Sequence, residues 1–256
     1  MGGTTTHDGW RESLGLVEQN LSFTRRIVRS GERVYLCGES LDALYLVNSG
    51  IFTIMNMSAD GREQPVGFYF KGDWLGFDGI PAGRYNCSAV ALDCGEVWTI
   101  SYEGLQRASV AEPDLLRCVL NAMSSQLAHS RDAMLSMATL TADARVADFL
   151  LSWAHALEQR GQRTDQINLN LSRADMGHYL GHTLESVSRA FSRLARCGII
   201  EFRERDRRDI SIPHLAGLSD FIQGGTEPAK HIHCRRRLNI DPPCRLNIDP
   251  GRVAAF

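Results

Sequence analysis

LSRADMGHYLGHTLESVSRAFSRLARCGII, residues 171–200, decides how the rest of the chain is read. Ser172 is followed three residues later by Asp175, an N-cap with an acid at the third helical position. A first helix is therefore expected over Arg173–Leu180, ended by Gly181, which tolerates the sharp backbone turn. Thr183 caps a second helix over Leu184–Arg196, which stops before Gly198. Two short helices joined by a glycine-containing turn form the helix-turn-helix arrangement. Met176, Tyr179, Leu180, Val187, Phe191 and Leu194 supply the apolar faces that lock the pair together. The outward face of the second helix carries Glu185, Ser188, Arg189 and Arg193. Arginine pairs with guanine, a carboxylate accepts from the cytosine amino group, and serine reads either donors or acceptors. On an isolated helix the same residues would read as a solvated charged face. Behind two capped helix starts the DNA reading outweighs it, and the capping residues Ser172 and Thr183 join the DNA-facing set.

Working outward, IIEFRERDRRDISIP (199–213) alternates apolar Ile200, Phe202, Ile210 and Ile212 around a charged tip. That is a β-hairpin wing, with Arg203, Arg205, Arg207 and Arg208 placed for phosphates. The formal net charge of the chain is only -2, so charge alone points to no nucleic acid. Its distribution does: residues 184–208 hold seven Arg against four acids. Upstream, a helix over 143–160 shows apolar Val146, Phe149, Leu150, Trp153 and Leu157, and a polar linker follows it. Before that helix, Leu116, Leu120, Met123, Leu127, Ser130, Met134, Met137 and Thr141 are spaced by alternating fours and threes. A stripe that repeats every three and a half residues buries best against a parallel partner helix, so this is a candidate dimerisation helix. A single amphipathic helix packed on its own domain is the competing reading. Ser130 weakens the seam locally.

From about Ser22 to Tyr102, short Val-, Ile-, Phe- and Tyr-rich runs recur between Gly and Asp turn signals, among them the turn Ala59-Asp60-Gly61. Many short antiparallel strands closed into a roll are expected. The class is α+β. The expected order is an N-terminal extension (1–20), irregular or briefly helical; an antiparallel β-roll sensor domain (21–113); a long dimerisation helix (114–141); a winged helix-turn-helix domain (142–220); and a disordered tail (221–256). The tail contains RLNIDP twice, at 237–242 and 245–250, and His231-Ile232-His233-Cys234, which has no partner set for a metal.

These parts together resemble the Crp/Fnr regulators over about residues 20–220, most specifically at LYLVNSG, GDWLGFDGI and DMGHYLGHTLESVSRAFSRL. The Fnr branch's Glu-x-x-Ser-Arg pattern stands here as Glu185, Ser188 and Arg189, while Leu184 replaces the Arg of the cyclic-AMP branch. The resemblance implies a homodimer that reads a TTGAT-N4-ATCAA palindrome in double-stranded DNA and contacts RNA polymerase, acting as an activator in the cytoplasm. It also implies a cyclic-nucleotide-binding-like roll. Nucleotide binders of the family carry a ribose Glu after the roll's Gly and an Arg-Ser-Ala run for the phosphate. This chain has Gly76-Phe77 and Cys87-Ser88-Ala89 there, with Arg84 offset by three residues, so a phosphate would lack its cation.

No Cys precedes Cys37, which is expected within a strand, and Trp98 stands at the fourth ligand position of the oxygen-sensing members. A four-thiolate iron–sulfur cluster is accordingly disfavoured. The pattern is similar to the cysteine-poor FixK-type regulators, which act without a cofactor. Haem stays open, with His129, His155, His178 or His182 as candidate ligands; the last two sit at the turn of the DNA motif and read better as structural. Cys197, beside Arg196 and Arg203, is a candidate redox thiol whose competing reading is an ordinary half-buried cysteine. Seven widely spaced cysteines without an export-type leader favour reduced thiols, and no apolar run is long enough to cross a membrane. A cupin-like enzyme is disfavoured because no His lies between His7 and His129. A ligand-gated regulator and a non-catalytic small-molecule-binding protein remain as alternatives.

Overall fold

The computed structural model describes residues 9–58, 61–203 and 208–224. The short apolar runs between turns become eight strands: β1 (Phe23–Val28), β2 (Arg33–Tyr35), β3 (Ala43–Ser49), β4 (Phe52–Met57), β5 (Glu63–Tyr69), β6 (Trp74–Leu75), β7 (Ser88–Ala91) and β8 (Gly95–Ser101). They pair into two four-stranded antiparallel sheets, ordered β1-β8-β3-β6 and β2-β7-β4-β5. The inward faces of both sheets meet in one core around Leu44, Leu46, Phe52, Trp74, Val97 and Ile100, all essentially inaccessible to water. Helix α1 (Gly9–Asn20) precedes the roll and buries Leu14 and Val17 in that core, so the helical form of the extension prevails. Residues Ala59 and Asp60 of the expected hairpin turn lie outside the described residues; the strands flanking them pair from Phe52↔Tyr69 to Met57↔Glu63.

Three departures from the sequence reading have plain causes. Cys37 is not in a strand: β2 ends at Tyr35, and the chain turns through Cys37 and Gly38. The end of the stretch read as roll is helix α2 (Tyr102–Ala111), capped by Ser101, whose hydroxyl accepts from the Gly104 amide. Finally, helix α7 (Leu215–Gly224) runs beyond 220, and Phe221 and Ile222 pack on the second core instead of trailing away.

Between roll and C-terminal part stands α3 (Pro113–Thr139), with proline in its first turn where the missing amide costs nothing. Leu115, Cys118 and Val119 bury one side of it against the roll, and Gln126 donates to the Trp74 carbonyl at 2.7 Å. The opposite side leaves Leu116, Leu120, Leu127, Met134 and Met137 in water; Leu127 is 59% and Met134 68% exposed. Met123 is partly covered by the roll core and Ser130 is exposed, its hydroxyl donating to the Gln126 carbonyl.

The C-terminal part consists of α4 (Ala142–Glu158), β9 (Gln166–Asn168), α5 (Arg173–Leu180), α6 (Leu184–Arg196), β10 (Glu201–Phe202), β11 (Asp209–Ser211) and α7. Strand β9 opens the INLNL run at the end of the polar linker: Ile167, Leu169 and Leu171 are buried, and Ile167 pairs opposite Ile210. The wing is therefore a three-stranded sheet, β10-β11-β9.

The two parts share a seam. Phe68 of β5 meets Tyr179, Trp153 and Phe149 at ring-centroid distances of 4.7, 5.2 and 5.7 Å, and Phe70 meets Trp153 edge-on at 5.2 Å. Arg160 closes the seam: its Nε donates to the Lys71 carbonyl at 2.7 Å and its Nη2 to Asp73 Oδ1 at 2.8 Å. The Trp10 indole donates to the Gln159 carbonyl at 2.9 Å on the same edge. Because Arg160 is 7% and Asp73 33% exposed, removing the guanidinium strands a largely covered carboxylate. Arg160→Ala is expected to lower unfolding free energy by about 2 kcal/mol, read as a lower urea midpoint by circular dichroism.

Candidate nucleic-acid interface

The local chemistry of residues 172–197 builds a rigid reading head. At the start of α5, Ser172 Oγ accepts from the Asp175 amide at 3.0 Å, and the Asp175 carboxylate accepts from the Ser172 amide at 3.3 Å. That reciprocal box satisfies helix-start amides that have no intrahelical partner. Gly181 ends α5 at φ 67°, and Thr183 begins α6 by accepting from the Ser186 amide at 3.2 Å. Gly177 permits the turn to fold back: a Cβ there would lie 2.6 Å from the His182 carbonyl. Met176, Leu180, Val187, Phe191 and Leu194 are buried between the helices and the wing. Tyr179, expected among them, turns instead to Phe68 of the roll.

Glu185, Arg189 and Arg193 are exposed on α6 and Ser188 is half-buried. Glu185 sits in the first turn, where backbone amides and then the Thr183 hydroxyl hold its carboxyl below the ordinary value, so it stays ionised. Arg189 donates to Ser186 Oγ at 3.2 Å, a weak tether that leaves four of its N–H groups for a ligand. Arg193 differs: its guanidinium pairs with Asp143 in the first turn of α4. The residues brought together on open surface are thus Glu185, Ser188 and Arg189, with Ser172 and Thr183 at adjacent helix starts. Arg205 and Arg207 lie outside the described residues. Cys197 is the C-cap of α6 and half-buried, its amide donating to the Arg193 carbonyl at 3.0 Å. Among the described residues, no group of three or more His, Cys, Asp or Glu side chains is arranged to hold a metal ion. His178 is exposed, and the His182 amide donates to the Gly177 carbonyl at 2.8 Å.

Two positioning residues escaped the sequence reading. Arg145 of α4 donates to the Leu180 carbonyl at 2.8 Å, the Met137 carbonyl at 2.7 Å and the Leu140 carbonyl at 3.2 Å. It thereby fastens the end of α5 to the end of α3. Arg173 lies over the Phe191 ring at 3.5 Å and braces the two reading helices. Neither is marked by a motif, since an arginine on an amphipathic helix reads as solvated until its neighbours are known.

In the roll, the segments that stand at the nucleotide-cassette positions make contacts within the protein. Tyr35 stacks on Tyr85 at 4.0 Å and lies 5.5 Å from Tyr45, and the Tyr85 hydroxyl donates to the Ala43 carbonyl at 2.6 Å. Arg84 donates to the Gly38 carbonyl at 3.0 Å, and Phe77 is buried in the 3-10 turn Phe77–Gly79.

Comparison with known proteins agrees with this geometry. The family described as Crp-like helix-turn-helix domain matches residues 144–221, and the Cyclic nucleotide-binding domain matches residues 25–110. The chain is 30% identical over 194 residues to the transcriptional activator protein FnrA of Stutzerimonas stutzeri, covering 76% of this chain and 80% of that one. It is 30% identical over 181 residues to the fumarate and nitrate reduction regulatory protein of Escherichia coli strain K12, covering 71% and 72%. Among solved structures, FixK2 from Bradyrhizobium japonicum superposes with a TM-score of 0.68 at 29% identity, covering 82% of this chain and all (100%) of that one.

His182 gives the reading head a pH dependence. Burial, and then the nearby Arg145, hold its imidazole below the ordinary 6.5, so folding favours the neutral ring. Its stabilising contribution is complete above the ordinary imidazole range and is lost as pH falls through the lowered value. Chemical denaturation from about pH 7 to about pH 5 is expected to show less loss of stability in His182→Gln than in the parent.

Proposed function

The chain belongs to the Crp/Fnr family of DNA-binding transcription regulators, and from that premise we propose that it acts as a homodimeric activator on the palindrome TTGAT-N4-ATCAA. The observation that carries the reading is the surface set of exposed Glu185 and Arg189 with half-buried Ser188 on α6, in a helix pair whose two starts are capped and whose turn closes at Gly177. In this reading the N-terminal turns of α6 enter the major groove. Glu185 accepts from a cytosine amino group, Arg189 reaches guanine N7 and O6, and Ser188 reads a neighbouring base edge. The helix starts at Ser172 and Thr183, with the wing arginines Arg205 and Arg207, hold phosphates and set the register.

Pairing of α3 with a second copy would cover the stripe Leu116, Leu120, Met123, Leu127, Ser130, Met134 and Met137. It would set two reading heads about one DNA turn, ~34 Å, apart. The activator role is supported by the name of the FnrA relative and implies contact with RNA polymerase. The cytoplasm is the compartment where such contact takes place, and no helix among the described residues is long and apolar enough to cross a membrane. The reading invokes no bound effector; Gly76-Phe77 and Cys87-Ser88-Ala89, which lack the ribose carboxylate and the phosphate arginine, support that choice for cyclic nucleotides.

Fluorescence anisotropy of the untreated protein on TTGAT-N4-ATCAA, against a scrambled duplex at the same salt, tests the readout. Selective binding is expected, and equal affinity for both duplexes would overturn the palindrome. Arg189→Ala is expected to lower specific affinity about tenfold or more (about 1–3 kcal/mol), with a far smaller change on the scrambled duplex. Leu127→Lys, at a position exposed in the single chain, is expected to shift sedimentation from dimer to monomer and to weaken palindrome binding without changing the helical signal.

A further inference from the structure

Cys37 and Cys87 lie near each other in a part of the roll that DNA reading does not use. Strands β2 and β7 run antiparallel with Tyr35 opposite Ala89. The ladder ends at that pair, after a register shift between Arg33 and Tyr35, and the turn that follows sets Cys37 alongside Asn86 and Ser88, the two neighbours of Cys87. Hydrogen bonds hold it there: the Cys37 amide donates to Ser88 Oγ at 3.0 Å, the Cys37 thiol to the Asn86 carbonyl at 3.3 Å, and the Gly38 amide to the Tyr85 carbonyl at 2.8 Å. Cys37 is thus bonded to the residues on both sides of Cys87. The Cys37 sulfur, held at the Asn86 carbonyl, is also an electrostatic neighbour of the Cys87 thiol, so the two sulfurs face the same small region of the roll.

The two thiols have unequal surroundings. Cys37 is exposed to solvent. Cys87 is buried and donates to Asp78 Oδ2 at 3.0 Å. Burial, then the Asp78 carboxylate, keep the Cys87 thiol protonated, and the Cys37 sulfur adds to that effect. Asp78 is itself fixed, since its carboxylate accepts from the Asn86 amide at 2.9 Å and its carbonyl from Asn86 Nδ2 at 2.7 Å.

We propose that this pair is an oxidation site: on exposure to a hydroperoxide, Cys37 and Cys87 close an intramolecular disulfide within the roll. The Cys37 thiolate attacks the peroxide, the O–O bond breaks, and Cys37 becomes a sulfenic acid as the alcohol, or water for hydrogen peroxide, departs. The Cys87 sulfur then attacks the Cys37 sulfur. The S–OH bond breaks, the Cys87 proton passes to Asp78, and hydroxide leaves to become water. Two thiols lose two electrons, and one hydrogen peroxide becomes two waters. Asp78 is a positioning and proton-accepting residue for Cys87. The inference is independent of the DNA site, so failure of either leaves the other standing.

The test uses the full chain, treated with equimolar hydrogen peroxide, alkylated and digested without reductant for mass spectrometry. A crosslinked Cys37–Cys87 peptide pair that dithiothreitol dissolves is expected, with Cys118 still alkylatable after denaturation. Cys87→Ala should leave Cys37 as a dimedone-reactive sulfenic acid. Asp78→Asn should leave that first oxidation unchanged and slow ring closure by about tenfold or more. Recovery of Cys37 as a sulfonic acid beside an alkylatable Cys87, or linkage of Cys37 to any other cysteine, would overturn the proposal.

Discussion

One guanidinium, that of Arg145, sets the geometry on which everything beyond the roll depends. Helices end in carbonyls without partners and in the negative pole of the macrodipole. The ends of α3 and α5 meet at Arg145, which donates to Met137, Leu140 and Leu180. A planar fork with several donors can hold carbonyls from two helices at once, and a lysine point charge cannot reproduce that geometry. The direction of the long helix is thereby transmitted to the reading head. Arg193 adds a second tie from α6 back to Asp143, at the start of the helix that carries Arg145. A side chain on α6, the helix proposed to face DNA, is thus spent on orientation.

The second constraint is the aromatic seam between β5 and α4. Phe68 and Phe70 leave the roll's edge to pack into the core of the other part, so neither part has a complete apolar surface alone. Close packing of this kind passes strain along instead of absorbing it. The hairpin β4–β5 is where a change in the roll reaches the reading head by the shortest route.

Much of this was legible in the residues. The limits of α5 and α6 followed from Ser172, Asp175, Gly181 and Thr183, because capping is a local interaction with a fixed spacing. The stripe on α3 followed from periodicity as far as Met137, but Thr141, its expected last member, lies beyond the helix and caps α4, its hydroxyl accepting from the Ala144 amide. What failed to show shares one cause, dependence on distant partners. Ile167, Leu169 and Leu171 alternate over too short a run to announce a strand, and pairing with Ile210 opposite Ile167 makes it one. Tyr179 fits the helical period for packing on α6, yet Phe68 of the roll claims it. Arg145 and Arg193 look alike in sequence; one holds carbonyls and the other a carboxylate, which no spacing rule separates. Cys37 was read into a strand because RVYLC is continuously β-prone, while the turn at Gly38 (φ 87°) ends the ladder early.

The open side of α3 has a consequence for the life of a single chain. Leu116, Leu120, Leu127 and Met134 form a continuous oily ridge along a rod of 27 residues. In colloidal terms a lone copy is a sticky particle, and contiguous apolar patches on isolated chains promote coagulation. Dilution, slow synthesis or a surplus of truncated copies would all lengthen the time that this ridge spends bare. With the proposed pairing of two copies, the yield of soluble protein would depend on how quickly each new rod finds cover as well as on how well each unit folds.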